Sequence, residues 1–527
     1  MNATNRMAET NGENKPRGNH LRWLVIGAAA ATIIVGTAFI ILLIRWPFSR
    51  ARVAQSLTST ISGSVTFAKL HPTFIPFPGC VAEGVVFRRT SSAPGTPPFV
   101  TIQRMAIQTR YADLFFRPGY IVRIVLNGLY VRIPPRRAGK KKQSQASPSN
   151  IRVGEIVANG ATLEIARADG KPPLKFEFHS LSVHSVSAHI VMTYRVAMTN
   201  ALPPGEILST GRFGPWHIGD FRQTPVSGTA SFSHANLGAF HGIAGTLSSE
   251  QKFAGTIGRI DVTGKLDIPD FKLTKTDNHA ELSSQFHLLV NATNGDVILR
   301  HVNTSLLQTN IIARGSIVGT PGKKGKTTSI ALTIARGRIQ DVLHLFVTAA
   351  HPPMDGLGSF QAHVTVAPLG KPFLQEVMAQ ADFQVRNGRF EKPSTQASVN
   401  QLSSRARGLK KKDADPPNAI ADLKGHVVLR HGSAKFTQIV FVVPGAVARM
   451  KGTFNLLNDR LNFQGTLKTD AKFSQAAGGG IKSVLLKPLD PLFKKKNTGA
   501  VIPVYMSGTY DHPRFGVNLL KTHQQAK

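Results

Sequence analysis

Hydrophobic side chains recur at every second position along much of the chain, the period at which one face of a pleated strand is buried. Ile260, Val262 and Leu266 do so around Gly264, Ile330, Leu332 and Ile334 follow, and Phe360, Ala362, Val364 and Val366 form the next run. Phe383 with Val385 continues the pattern, then Ile439, Phe441 and Val443, then Leu461, Phe463 and Leu467 around Gly465. Gly, Pro, Asn and Asp cluster between the runs, as turns require. Asn387 and Gly388, between Val385 and Phe390, predict a hairpin with Asn-Gly at its tip. Helical spacing is scarce. Ile339, Val342, Leu343 and Phe346 predict one short amphipathic helix, and residues 481–486, before Lys494, Lys495 and Lys496, predict a second. The second suits either an anionic membrane surface or the capping of a sheet end.

The frame Gly-x-x-Asp-x-Pro-x-Phe occurs twice, from Gly264 to Phe271 and from Gly508 to Phe515, so one strand-and-turn unit is expected at both places. Gly245, Gly255, Gly452 and Gly465 sit where a long sheet would coil or bulge. Residues 23–44 break the pattern: they carry no charge and, as a helix, are long enough to span a bilayer. Arg22 and Arg45 bracket them, Trp23 and Trp46 stand at interfacial positions, and no small-x-small cleavage pattern follows. The expected fold class is therefore mainly β: an N-terminal single transmembrane helix, then an elongated, twisted antiparallel β-sheet groove with few short helices. Basic residues nearly balance across the run, but large following domains are exported regardless of charge. A cytoplasmic tail at 1–22 with the rest of the chain outside is thus expected. Composition divides that remainder into a membrane-proximal β domain at 45–135, a basic, Ser-rich linker at 136–150, an elongated domain at 151–520 and a tail at 521–527.

Composition narrows the chemistry. The 527 residues are 42 % hydrophobic, and 64 Lys+Arg against 29 Asp+Glu give a net charge of +35. The single cysteine, Cys80, excludes an internal disulfide and a multi-cysteine metal site. Residues 320–327 end like a phosphate loop, but Thr320 replaces the first required glycine and a strand pattern follows where a helix is needed. His179, His184 and His189 recur at a spacing of five, which alternates faces in a strand and does not converge on one metal. Carboxylates are few and dispersed. The sequence therefore predicts no enzyme, metal or cofactor. Its basic runs lie in loops away from aromatics, so anionic headgroups or other acidic polymers fit them better than nucleic acid.

The N-terminal anchor, the strand pattern, Gly214, Pro215 and Trp216 leading to Thr224, Pro225, Val226, Ser227 and Gly228, the Val443, Pro444, Gly445, Ala446 turn and the repeated Pro-x-Phe unit together resemble the AsmA-like envelope proteins. The likeness is strongest over 205–515 and weaker over 45–135. It implies a single-pass inner-membrane protein whose bulk is periplasmic, a twisted β-groove, and a part in moving phospholipid toward the outer membrane or in envelope assembly. A sheet with one apolar face must cover that face, and few helices are available to do so. Either the sheet closes on itself, or the face holds lipid tails, which gain roughly 0.8 kcal/mol per buried CH₂. The candidate lining residues are Ile260, Val262, Leu266, Phe360, Val364, Phe383, Phe441, Val443, Phe454 and Phe463. Alternation places them on one face without saying what lies opposite. Phospholipid and the inner membrane are the expected partners, with outer-membrane or envelope proteins beyond. The competing expectation is an assembly factor whose sheet edges recruit strands.

Overall fold

A computed structural model describes residues 48–60, 63–89, 96–117, 119–134, 151–166, 172–217, 219–240, 242–320, 325–347, 352–368, 373–409, 420–472, 499–509 and 512–517. The expected anchor at 23–44 with Arg22, Trp23, Arg45 and Trp46, the linker at 136–150, the helix at 481–486 and the terminal tails lie outside the described residues. Among the described residues no helix is long and apolar enough to cross a membrane.

Among the described residues the period-two runs form one 25-stranded sheet. Its first section holds β1 (Gly63–Thr66), β2 (Lys69–Thr73), β3 (Gly79–Arg89), β4 (Val100–Gln108) and β5 (Tyr120–Ile133). Next come β6 (Arg152–Ile165), β7 (Leu174–Val186), β8 (Met192–Ala201), β9 (Pro204–Phe213), β10 (Pro225–Asn236), β11 (Ile243–Ala244) and β12 (Thr246–Thr256). The middle is β13 (Arg259–Leu273), β14 (Ala280–Asn291), β15 (Asp296–Leu306), β16 (Thr309–Gly319), β17 (Lys326–Arg338) and β18 (Met354–Val366). The far section is β19 (Val377–Phe390), β20 (Ala421–Arg430), β21 (Ser433–Val443), β22 (Ala446–Asn455), β23 (Arg460–Thr469), β24 (Ala500–Thr509) and β25 (Pro513–Val517). Among the described residues five α-helices accompany them: α1 (Arg50–Thr60), α2 (Tyr111–Phe116), α3 (Ile339–Phe346), α4 (Phe373–Glu376) and α5 (Pro393–Ala406).

From β3 onward each strand pairs with the next, except that β12 lies beside β10 and the two-residue β11 pairs with β13. Every pairing is antiparallel but one. β5 and β6, on either side of residues 136–150, run parallel from the Tyr120–Arg152 pair to the Ile133–Ile165 pair, so the sheet continues across that segment. Gly84, with φ of +60°, kinks β3 so that β1 pairs with its second half and β2 with its first.

Helix α3 covers the residues that its spacing predicts. Two local expectations are corrected. Asn387 and Gly388 lie inside β19 and not at a hairpin tip: the register shifts between Val385 and Gly388, Asn387 takes a φ of 55°, and its N–H donates to Asp422 Oδ1 at 3.0 Å. A turn-forming dipeptide serves here as a bulge between two flanking strands. The Gly-x-x-Asp-x-Pro-x-Phe frame also takes two different forms. Its first copy runs along β13 with a bulge between Ile268 and Phe271, whereas its second joins β24 to β25 and pairs Gly508 with Pro513.

Candidate functional site

Cross-strand register converts the local alternation into a surface. From Cys80 the direct partners run Ile107, Ile124, Ile156, Val183, Tyr194, Gly211, Gly228, Phe253 and Val262. They continue as Leu288, Leu299, Gly315, Ile330, Val364, Ala379, Leu429, Ala434, Phe454, Leu461 and Gly508. Every strand from β3 to β24 except β11 contributes one residue, and none is charged. At about 4.8 Å between strands the row is about 100 Å long along its curved path.

A second row, two residues away on each strand and three on β15 where a bulge intervenes, includes Gly264, Phe286, Val302, Ala313, Leu332, Ala362, Ala381, Val427, Phe436, Gly452 and Phe463. Gln251 and Ser209 are its polar members among the earlier strands. The opposite face of β13 carries Asp261, Thr263, Lys265 and Asp267. One face is thus mostly apolar from strand to strand, and in β13 the opposite face is polar.

All ten sequence-predicted lining residues fall on the apolar face. Val262, Val364 and Phe454 share the first row, and Phe463 lies in the second. Phe360 and Phe383 are direct partners, as are Ile260 and Val290. Leu266 stands between Ser249 and Ser284, the latter bonded at 2.6 Å to Thr304, so a small hydroxyl patch interrupts the face there. Phe441 and Val443 pack with Val399, Leu402 and Ala406 in a closed core beneath α5, and Phe463 is also buried.

Sequence alternation missed several members, notably Phe286, Leu288, Leu299, Phe436 and Leu429. Phe436 is instructive. A bulge between Phe436 and Ile439 changes parity within β21, so residues three apart share a face and period-two counting back from Ile439 misses the aromatic. Phe436 meets Phe383 and Phe463 with ring centroids 6.4 and 5.5 Å away, forming an aromatic strip across β19 to β23.

Glycines shape the floor. A methyl group at Gly264 would lie 2.7 Å from Phe286 Cζ, one at Gly228 2.8 Å from Phe253 Cζ, and one at Gly425 2.6 Å from Phe383 Cζ. Each aromatic ring therefore lies against the bare backbone of its cross-strand partner, which keeps the ring low on the sheet.

Cover over the apolar face comes from helices at one rim. Asp341 of α3 accepts hydrogen bonds from the N–H of Gln308 at 3.1 Å and from Thr309 Oγ1 at 2.8 Å, while Asn278 Nδ2 donates to the carbonyls of His344 and Val347 at 2.7 Å. This clamp seats Leu345 against Ala280 and Leu306. At α5, Ser403 Oγ donates to the carbonyl of Pro444 at 2.8 Å. On the same strands, several residues away from the capped rim, the first-row residues Val262, Leu288, Leu299, Ile330, Val364 and Phe454 are only half-buried. No second sheet is present among the described residues to cover them.

On the polar face, Glu164 is buried and accepts hydrogen bonds from Tyr130 Oη and from Arg132 Nε at 2.9 Å. Tyr130's hydrogen bond, reinforced by the Arg132 charge, holds the Glu164 carboxyl below its usual range. This group fastens the parallel β5–β6 junction. Comparison with protein-family models, curated proteins and solved structures found no match for this chain.

Proposed function

We propose that the chain is a membrane-anchored, periplasmic protein of AsmA-like type that holds phospholipid tails along its apolar face and conveys them between inner and outer membrane. The observation that carries this reading is the uncharged row from Ile124 to Leu461, half-buried at every member except the buried Ala434. A water-facing apolar strip of this extent is unusual for a protein with no apolar partner. Acyl chains laid on it would gain roughly 0.8 kcal/mol per buried CH₂, with the headgroup left in water. Since the row keeps one chemical character from strand to strand, a tail can slide along it without a chemical step, and supply and removal at the two ends set the direction.

The test is the phospholipid that co-purifies with the full chain, compared with the Val262→Asp, Val364→Asp double variant. Both positions lie in the first row and away from the helical caps. Stoichiometric lipid in the parent and clear loss in a variant that remains folded support the reading. A lipid-free parent whose double variant unfolds makes the row an ordinary core. A second reading, strand recruitment during outer-membrane protein assembly, draws on β25, which is paired along one edge only among the described residues. Bound client strands in place of lipid would favour it.

A further inference from the structure

The first section of the sheet carries an exposed feature that the apolar row does not use. In the connection between β2 and β3, Ile75 is 90 % exposed and Phe77 49 %, and in α2 Phe116 is 84 % exposed and Tyr111 40 %. These two segments are tied together, because Tyr111 Oη donates to the carbonyl of Phe74 at 2.8 Å. Beneath them Phe74 and Leu114 pack onto the closed core of β3 and β4. The exposed side chains therefore stand on a fixed base and not on a loose loop. Single exposed apolar residues are ordinary, but four on two short segments joined by this hydrogen bond mark an interaction surface.

Charge identifies the partner. Arg110 and Arg117 flank α2 and are exposed, and exposed Arg152 joins the same end through its N–H bond to the carbonyl of Gly119 at 3.0 Å. Aliphatic and aromatic groups fringed by arginine match the boundary between acyl chains and anionic headgroups. The chain outside the structure leads to the same place. The uncharged run at 23–44 ends four positions before Phe48, and Phe48 belongs to the core cluster that Phe74 and Leu114 pack against. Four residues reach no further than about 14 Å, so the run departs from the unit that bears the tip.

We propose that this tip, formed by Ile75, Phe77, Tyr111 and Phe116, enters the headgroup layer of an anionic bilayer. It would seat the closed end of the sheet against the membrane. None of its residues belongs to the apolar rows, so this proposal and the lipid-conveying reading fail separately.

The test uses the full chain in phosphatidylcholine vesicles containing about 30 % phosphatidylglycerol. Ile75→Cys, Phe116→Cys and, as a distant control, Leu457→Cys in the turn between β22 and β23, which is 52 % exposed, are each labelled with an environment-sensitive fluorophore. Native Cys80 is fully buried, so its labelling in any variant reports misfolding. Doxyl-labelled lipid is expected to quench the probes at 75 and 116 by about half or more while leaving 457 nearly untouched, and aqueous iodide is expected to do the reverse. Equal doxyl quenching at all three sites would overturn the proposal. So would shielding from iodide at 75 and 116 without doxyl quenching, which assigns the tip to a protein partner. If either cysteine variant misfolds, Phe77→Cys replaces it under the same criteria. Phospholipid bound to each variant is measured in parallel, and its absence with doxyl quenching intact counts against the conveying reading alone.

Discussion

The first section of the sheet and its middle share one row of side chains and treat it differently. In β3 and β4 the row and its neighbours are sealed: Cys80, Ala82 and Val85 are 0 % exposed and Ile107 5 %, under Phe48 and Val53 of the N-terminal segment. In β13 to β18 residues of the same row and face, Val262, Leu288, Ile330 and Val364, are half-buried, and among the described residues α3 covers these strands only at the rim that holds Ala280 and Leu306. Strands with one apolar face, interrupted by irregularities such as the kink at Gly84 and the bulge between Leu299 and Val302, build both regions. What differs is the supply of a covering element, so burial is decided by helices placed at a few points along the chain and not by the strands.

The largest expected contrast comes from putting a charge into each region. Val85→Asp buries an uncompensated carboxylate and should cost about 4 kcal/mol or more, enough to open the first section. Val364→Asp, with water within reach, should cost about 1 kcal/mol. Chemical denaturation monitored by Cys80 labelling measures the first change directly. Burial pushes the Cys80 thiol up to about 12, so the folded chain should barely react. Equal costs at the two sites would erase the distinction between sealed and open regions.

A smaller effect is expected where a cap meets the open face. Asp341→Ala removes the acceptor for Gln308 and Thr309 and should loosen α3 by about 1–3 kcal/mol, with faster amide exchange in β15 and β16 and little change in β3. Exchange that rises equally in β3 would mean that the two regions unfold as one unit.

The smallest effect is a pH dependence at the β5–β6 junction. Because Tyr130 and Arg132 hold the Glu164 carboxyl below its usual range, the folded chain binds that proton less readily than the unfolded chain. The stabilisation is therefore complete above the ordinary glutamate range and fades as pH falls through it toward the depressed value. Glu164→Gln should remove that acid-side slope while retaining most of the stability at neutral pH. An unchanged slope would place the titrating group elsewhere.

Much of the sheet is legible in the sequence because strand period is a local property: β13, β17, β18, β21 and β23 lie where the alternating runs are. The ten lining residues share a face for the same reason. Helix α3 is legible because Ile339, Val342, Leu343 and Phe346 make a clear stripe. Helix α5 is not, since Val399 and Leu402 stand among Ser, Thr, Gln and Asn, so the cover over Phe441 and Val443 goes unseen. Bulges hide Phe436 and turn Asn387 and Gly388 into a misleading hairpin signal. The parallel β5–β6 junction is also invisible, because it joins segments separated by a polar stretch and rests on long-range pairing.

The central claim is that hydrocarbon shields the open middle of the row. It is tested most directly by photocrosslinking in cells, with a photoreactive phenylalanine at Leu288, Ile330 or Val364 and, for comparison, at Thr263 on the polar face. Phospholipid adducts are expected at the three row positions and not at Thr263. Protein adducts alone at the row, or equal lipid labelling on both faces, would contradict it.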